Sequence, residues 1–314
     1  HSVLPDINID WLRQRLTGDK GFVWVKRELT PAIQERIMQL GIPGLDFVTE
    51  SKRFYPGGTE SSHILGAVNI DNQGIAGIEK DMDDEGVALL QSIGLARGNE
   101  LEPVNLSIDL RVQHVMHDVL TDALSRYRAI AAAGAMMDVR TGEILGLVSL
   151  PDFDPNNPVT ALEKDRFNRI TSGIYELGST FKTVTMAAAL DSGKVRITDS
   201  FDARFGVRFG RYTIDDFHGK HRILTVPEIY KYSSNIGTAR IALAMGVERH
   251  KAFLKKMGQL DRLRTELPES AEPLVPKHWG ELNTVTIAFG HGLSVAPLQA
   301  VEGINALVNG GLLS

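Results

Sequence analysis

Apolar positions recur along the chain at two periods, in short alternating blocks. Residues 111–127 carry Val112, Val115, Met116, Val119, Leu120, Ala123 and Leu124 on one side, which predicts an amphipathic helix. A short helix is predicted over 10–16. Another opens at Thr30, with Thr30 as cap, Pro31 in the first turn and Ile33, Ile37, Met38 and Leu40 roughly on one face. Gln34 falls one place past the capping-box position, so no box is predicted. Further helices are expected after Thr225-Val226-Pro227-Glu228, over 238–246 and 249–257, and over 294–307 with Pro297 in its first turn and Gly310-Gly311 at its end. The period of two appears at 104–108, 133–139 and 143–149. The last two are joined by Arg140-Thr141-Gly142 as a hairpin, and 22–25 and 211–214 read as shorter strands.

Between these blocks, glycine and proline cluster in Arg53-Phe54-Tyr55-Pro56-Gly57-Gly58, His63-Ile64-Leu65-Gly66 and Gly74-Ile75-Ala76-Gly77-Ile78-Glu79. That density predicts turns and close backbone approach, not long helices. The Gly-x-x-Gly spacing lacks the strand and helix that a phosphate loop needs, so a structural turn is expected. Residues 151–158 form a Pro/Asn/Asp loop of the kind that borders a site.

The length of 314 residues suits about two domains, with a boundary near 100 at the polar Arg97-Gly98-Asn99-Glu100. Hydrophobic content of 43% and charged content of 23% are ordinary for a globular protein. A net charge of −5 offers no basic surface for nucleic acid. The absence of cysteine excludes disulfides, thiolate metal sites and a cysteine nucleophile. No apolar run reaches the length of a membrane span, and no signal peptide is recognised. The chain opens His1-Ser2-Val3 without Met and is expected to be a fragment.

Chemistry gathers at Tyr175-Glu176-Leu177-Gly178-Ser179-Thr180-Phe181-Lys182-Thr183, followed by the apolar run Val184, Met186, Ala187, Ala188 and Leu190. Glycine supplies a tight turn, and positions i and i+3 share a helix face, so the Lys182 amine can reach the Ser179 hydroxyl. A serine needs a base to become a nucleophile, and a lysine whose pKa is lowered by burial is such a base. The bland reading is an N-capping serine beside a solvated lysine, since about one Ser-x-x-Lys is expected by chance. Ser233-Ser234-Asn235 interrupts two helical runs about 50 residues on. Ser233 can relay a proton there, and Asn235 can hold a substrate carbonyl and the lysine together. A turn or capping cluster is the plainer reading. The chain contains one Ser-x-x-Lys and one Ser-x-Asn, in this order. His114 and His117 are spaced as a metal pair, but no third ligand completes it, and an ordinary surface face is expected.

Ser-x-x-Lys, Ser-x-Asn and Lys-Thr-Gly together form the signature of penicillin-binding proteins and serine β-lactamases. The whole chain resembles a class B penicillin-binding protein. Residues 175–182 resemble that family's active-site helix start, and Ser233-Ser234-Asn235 its second motif. Thr286-Ile287-Ala288-Phe289-Gly290-His291-Gly292 with Pro297-Leu298-Gln299 is similar to its glycine loop and following helix. Arg53-Phe54-Tyr55-Pro56 and Gly74-Ile75-Ala76-Gly77-Ile78-Glu79 resemble motifs of its non-catalytic pedestal domain, and Phe22-Val23-Trp24-Val25-Lys26-Arg27-Glu28-Leu29-Thr30-Pro31 leans towards the division-type member.

The resemblance implies an α/β (α+β) fold of the penicillin-binding transpeptidase and serine β-lactamase kind, an antiparallel sheet flanked by helices. The pedestal would occupy 1–100 and the transpeptidase domain 101–314. It implies a peptidoglycan D,D-transpeptidase that crosslinks stem peptides through a serine acyl-enzyme and is acylated by β-lactam antibiotics. Catalytic roles fall to Ser179 as nucleophile, Lys182 as base and Ser233 as proton shuttle, with Asn235 as substrate-binding amide, and no cofactor or metal is implied. The implied setting is the periplasm, on an N-terminal inner-membrane anchor that this chain does not carry, with a membrane glycosyltransferase and other division proteins as partners.

One departure stands out. Lys-Thr-Gly and Lys-Ser-Gly are absent from the chain, and in the family that motif lies on a strand downstream of the Pro-Leu-Gln helix. The expectation is therefore a chain truncated at its C-terminus, short of part of its sheet and poor at acylation. The alternatives are a non-catalytic β-lactam sensor or divisome scaffold of the same fold, and a D,D-carboxypeptidase or β-lactamase.

Overall fold

The computed structural model describes residues 2–18, 21–84 and 103–313, and the chain divides into two compact units, residues 1–54 and 55–314. The boundary predicted at 97–100 lies outside the described residues.

In the first unit, α1 (Ile9–Leu16) is capped by Asn8, whose side chain accepts from the N–H groups of Asp10 and Trp11. Helix α2 (Pro31–Met38) starts as its sequence predicts, with Thr30 accepting from Ile33 N–H and Pro31 in the first turn. Of its apolar face only Ile37 is buried, while Met38 and Leu40 are 62% and 51% exposed. Residues 22–25, predicted as a strand, enter no ladder among the described residues. Phe22 and Trp24 still point to one side, meeting edge to face with ring centroids 5.0 Å apart.

The second unit begins with α3 (Ser62–Leu65), the strands β1 (Ala67–Val68) and β2 (Gly74–Ala76), and α4 (Gly77–Asp84). Backbones approach closely here: a Cβ on Gly66 would lie 1.7 Å from the Ala76 carbonyl oxygen, which accounts for this glycine. Helix α5 (Leu110–Arg126) packs on the antiparallel hairpin of β3 (Ala132–Met137) and β4 (Ile144–Leu150). Gln113, fully buried at that contact, donates to the carbonyls of Glu60 and Leu147 and accepts from Leu147 N–H, so helix and hairpin share a polar bolt. The strand predicted at 104–108 does not form. That segment is held to β4 by two isolated bonds, Ser107 Oγ to Ile144 O and Asp109 N–H to Leu145 O.

Next come α6 (Lys182–Asp191), β5 (Ser200–Asp202), β6 (Val207–Phe209), β7 (Tyr212–Ile214), β8 (Ile223–Thr225), α7 (Val226–Lys231), α8 (Asn235–Met245) and α9 (Val247–Lys256). The unit closes with α10 (Glu281–Ala288) and α11 (Pro297–Val308). The described strands pair antiparallel as β1–β2, β3–β4, β5–β8 and β6–β7. The core is helical and centres on α6 and α8. Val184 and Phe181 pack with Leu254, Ile287 and Val295 on one side. Met186 and Ala189 pack with Ile229, Ile241 and Met245 on the other. Each fully buried aliphatic side chain contributes about 1.5–3 kcal/mol, so the residues carrying the candidate chemistry are mounted on a well-buried apolar core.

Candidate active site

The turn at Gly178, with φ of +56°, leads into a 3₁₀ turn over Gly178–Phe181, and only then does α6 begin, at Lys182. In a 3₁₀ turn side chains at i and i+3 eclipse, which brings the Lys182 amine over the exposed Ser179 hydroxyl more directly than an α-helix would. Ser179 does not cap a helix: the turn has no side-chain cap. The bland reading of this serine is therefore excluded.

Lys182 is 1% exposed, and its Nζ donates to Ser179 Oγ at 3.1 Å, Ser233 O at 2.7 Å, Ser233 Oγ at 2.8 Å and Asn235 Oδ1 at 2.8 Å. An ammonium has three protons for these four oxygens, so one contact is always unsatisfied by the charged form. Burial lowers the lysine pKa from its ordinary 10.5 to about 8, against the opposing pull of Asp216. In the neutral form the amine has a lone pair, and the Ser179 hydroxyl can donate to it.

The second motif divides its labour. Ser234 takes the capping role: its Oγ accepts from Gly237 N–H at 2.9 Å at the start of α8. Ser233 and Asn235, on either side, are left to face Lys182. Ser233 adopts φ of +53°, a conformation that costs a non-glycine residue roughly 1–3 kcal/mol and that turns its carbonyl and its hydroxyl to the same amine. Asn235 opens α8, three residues before the helix start predicted at 238. Its Nδ2 makes only a 3.4 Å contact to Asp215 O, which leaves that group ready to donate to a ligand. The four residues singled out in the sequence thus come together at one amine.

Two acids that the sequence reading did not single out as functional support this cluster. Asp216 accepts from Ser234 Oγ at 2.7 Å and from Ile236 N–H at 2.9 Å. Glu176 accepts from Gly292 N–H at 2.7 Å and from His291 Nδ1 at 3.2 Å, and the backbone N–H of Gly292 holds its carboxyl below the usual range. Glu176 thereby ties the glycine loop to the residues before the nucleophile. The crossing is tight: Gly178 N–H donates to Gly290 O, and a Cβ on Gly290 would lie 1.8 Å from the Gly178 carbonyl oxygen. The only prior signal for either acid was position, Glu176 three residues before Ser179 and Asp216 just after a strand.

His114 and His117 stand apart from this cluster. His114 is paired with Glu60 and lies near Asp118, while His117 is half-buried against Asp152. Among the described residues no three His, Cys, Asp or Glu side chains gather as metal ligands. A cavity of about 220 Å³ lined by His63, Phe153, Leu162 and Phe167 shares no lining residue with the Lys182 site.

Residues 132–314 match the family described as the penicillin binding protein transpeptidase domain. The chain is 38% identical to the probable peptidoglycan D,D-transpeptidase FtsI of Caulobacter vibrioides, over 98% of this chain and 51% of that protein. It is 30% identical to the probable peptidoglycan D,D-transpeptidase PenA of Neisseria gonorrhoeae, over 99% and 57%. A solved structure described as a peptidoglycan glycosyltransferase from Burkholderia ambifaria superposes with a TM-score of 0.59 at 29% identity, covering 67% of this chain and 63% of that one. The chain spans about half the length of the curated relatives it matches.

Proposed function

Because the chain belongs to the penicillin-binding protein transpeptidase family, as a class B member of the division type, we propose that it carries the acylation centre of a peptidoglycan D,D-transpeptidase. The observation that carries this reading is the buried Lys182 amine with Ser179 Oγ, Ser233 Oγ and Asn235 Oδ1 around it. Neutral Lys182 takes the Ser179 proton as Oγ attacks the penultimate D-Ala carbonyl of a stem peptide. The C–N bond to the terminal D-Ala breaks, and Ser233 passes a proton from Lys182 to the departing amine. The amino group of a second strand then attacks the ester, which completes a crosslink and returns the proton through the same relay. The Ser179 N–H lies in the first turn, where helical N–H groups lack internal acceptors, and it serves as one oxyanion donor. Asn235 Nδ2 holds the substrate amide.

Residues 101–314 act as the transpeptidase domain and 1–100 as a non-catalytic pedestal. The match over 132–314 supports the first assignment. The substrate is peptidoglycan, β-lactams acylate the same serine, and the protein works in the periplasm during septal wall synthesis, anchored to the inner membrane and alongside a membrane glycosyltransferase and other division proteins. Among the described residues no helix is long and apolar enough to cross a membrane.

Intact-mass analysis after incubation with benzylpenicillin, on the protein as the cell produces it, tests the reading. The expected result is one long-lived adduct that Ser179→Ala abolishes. An adduct that persists in Ser179→Ala overturns the nucleophile assignment. Rapid hydrolysis of the penicillin would identify a lactamase, and absence of any adduct a scaffold.

A further inference from the structure

Asp216 lies on the loop after β7, and its two oxygens do different work. Oδ2 accepts from Ser234 Oγ at 2.7 Å, and Oδ1 accepts from Ile236 N–H, in the first turn of α8, at 2.9 Å. Ser234 is held from its other side as well. Its Oγ accepts from Gly237 N–H, and its carbonyl accepts from Thr238 Oγ1 at 2.7 Å. The residue between Ser233 and Asn235 is therefore fixed, and this leaves its neighbours little freedom. Ser233 is in a left-handed conformation that a serine does not choose unaided.

We propose that Asp216 is a positioning residue for acylation: it locks Ser234 and the first turn of α8 so that Ser233 and Asn235 both address Lys182. The proposal rests on the reading of Lys182 as the base. Among the described residues, the same carboxylate also acts on the Lys182 amine through its charge, opposing the effect of burial. Other ionisable groups on neighbouring elements include Asp215, His218, Lys220 and His221 on the same loop, Glu228, Tyr230 and Lys231 on α7, Arg240 on α8, and Glu176 and His291 beside the glycine loop. Tyr230 is bonded to Thr183, and Glu176 to His291. A carboxylate at this point thus has two effects with separate readouts. Its hydrogen bonds set geometry, and its charge sets where the lysine titrates.

Asp216→Ala and Asp216→Asn separate them. With D216A, the second-order acylation rate by a fluorescent penicillin falls about ten- to a hundredfold, as expected for losing charge-assisted hydrogen bonds. Lys182, followed by ¹⁵N NMR of its amine, titrates at a lower pH than in the wild type. D216N keeps an oxygen for Ile236 N–H but no charge. It recovers part of the rate while the Lys182 titration stays low, a split that a merely structural role would not produce. A wild-type rate together with a wild-type titration in D216A overturns the proposal. If D216A does not fold, the same pair of results in D216N overturns it. Lys182→Ala is the control, since a rate unchanged by that substitution removes the base reading itself. The Ser233 φ in a crystal structure of D216N tests the geometric claim without any turnover: a retained +53° with Ser234 displaced from residue 216 would refute it.

Discussion

Lys182 and His250 are both buried bases on helices of the second unit, 1% and 0% exposed, and they differ in what surrounds them. Burial drives both down, the lysine to about 8 from 10.5 and the histidine to about 4 from 6.5. Among the described residues, His250 has no hydrogen-bond partner on either ring nitrogen, and it meets Trp279 edge to face with ring centroids 6.3 Å apart. It is neutral at pH 7 and does no visible chemistry. Lys182 has four oxygens within 3.1 Å, two of them hydroxyls that can exchange a proton with it. A depressed pKa is common to a core residue and a candidate base, so the pKa does not separate them. The partners do.

The contrast can be broken most sharply by removing the lysine. Lys182→Ala is expected to slow acylation by about 10²–10⁴, the usual range for a general base, whereas His250→Gln leaves the rate close to wild type. A fluorescent-penicillin time course measures both. Next in size is the pH profile of the wild type, which should rise about tenfold per pH unit and level off near pH 8, where Lys182 loses its proton. A profile that levels near 6.5 would point to a histidine instead.

Stability should show two separate windows with the same sign. In each case the unfolded chain takes the proton first, so stability rises with pH between the folded and unfolded values. For His250 the gain runs from pH about 4 to 6.5 and for Lys182 from about 8 to 10.5, each on the order of 3 kcal/mol. Denaturant midpoints across pH would show the first slope vanish in His250→Leu and the second in Lys182→Met. The smallest effect is at Glu176, whose carboxyl is held down chiefly by Gly292 N–H and is half exposed. Its contribution is present above the unfolded carboxylate pKa and fades as pH falls. Glu176→Gln should therefore cost about 1 kcal/mol or less at pH 7, read from thermal unfolding.

Helices were legible in the sequence where a cap or a proline marks their start. Thr30 with Pro31 and Pro297 open helices as their types suggest, and Thr225 with Glu228 closes a full capping box. The strands expected at 22–25 and 104–108 were not legible, because period-two patterning records where side chains point and carries no information about a partner backbone. At the site, the spacing of Ser179 and Lys182 and the order of the motifs were readable. That Ser234 would do the capping and release Ser233 and Asn235 was not, because it depends on Asp216 arriving from 18 residues upstream. Gln113 was hidden for the same reason: a polar residue on a helix gives no sign that a hairpin will wrap its amide.

The contact of Gly290 with the Gly178 carbonyl limits how this protein can vary. Every single-nucleotide change that alters a glycine codon without creating a stop introduces a Cβ, and at position 290 that atom would land 1.8 Å from a backbone oxygen. The backbone there also holds φ of +89°, so even alanine is strained twice over. Selection that seeks to reshape the surroundings of Ser179 has no first step available at this crossing. Heritable change in what the site admits must enter through side chains that border the serine without supporting it.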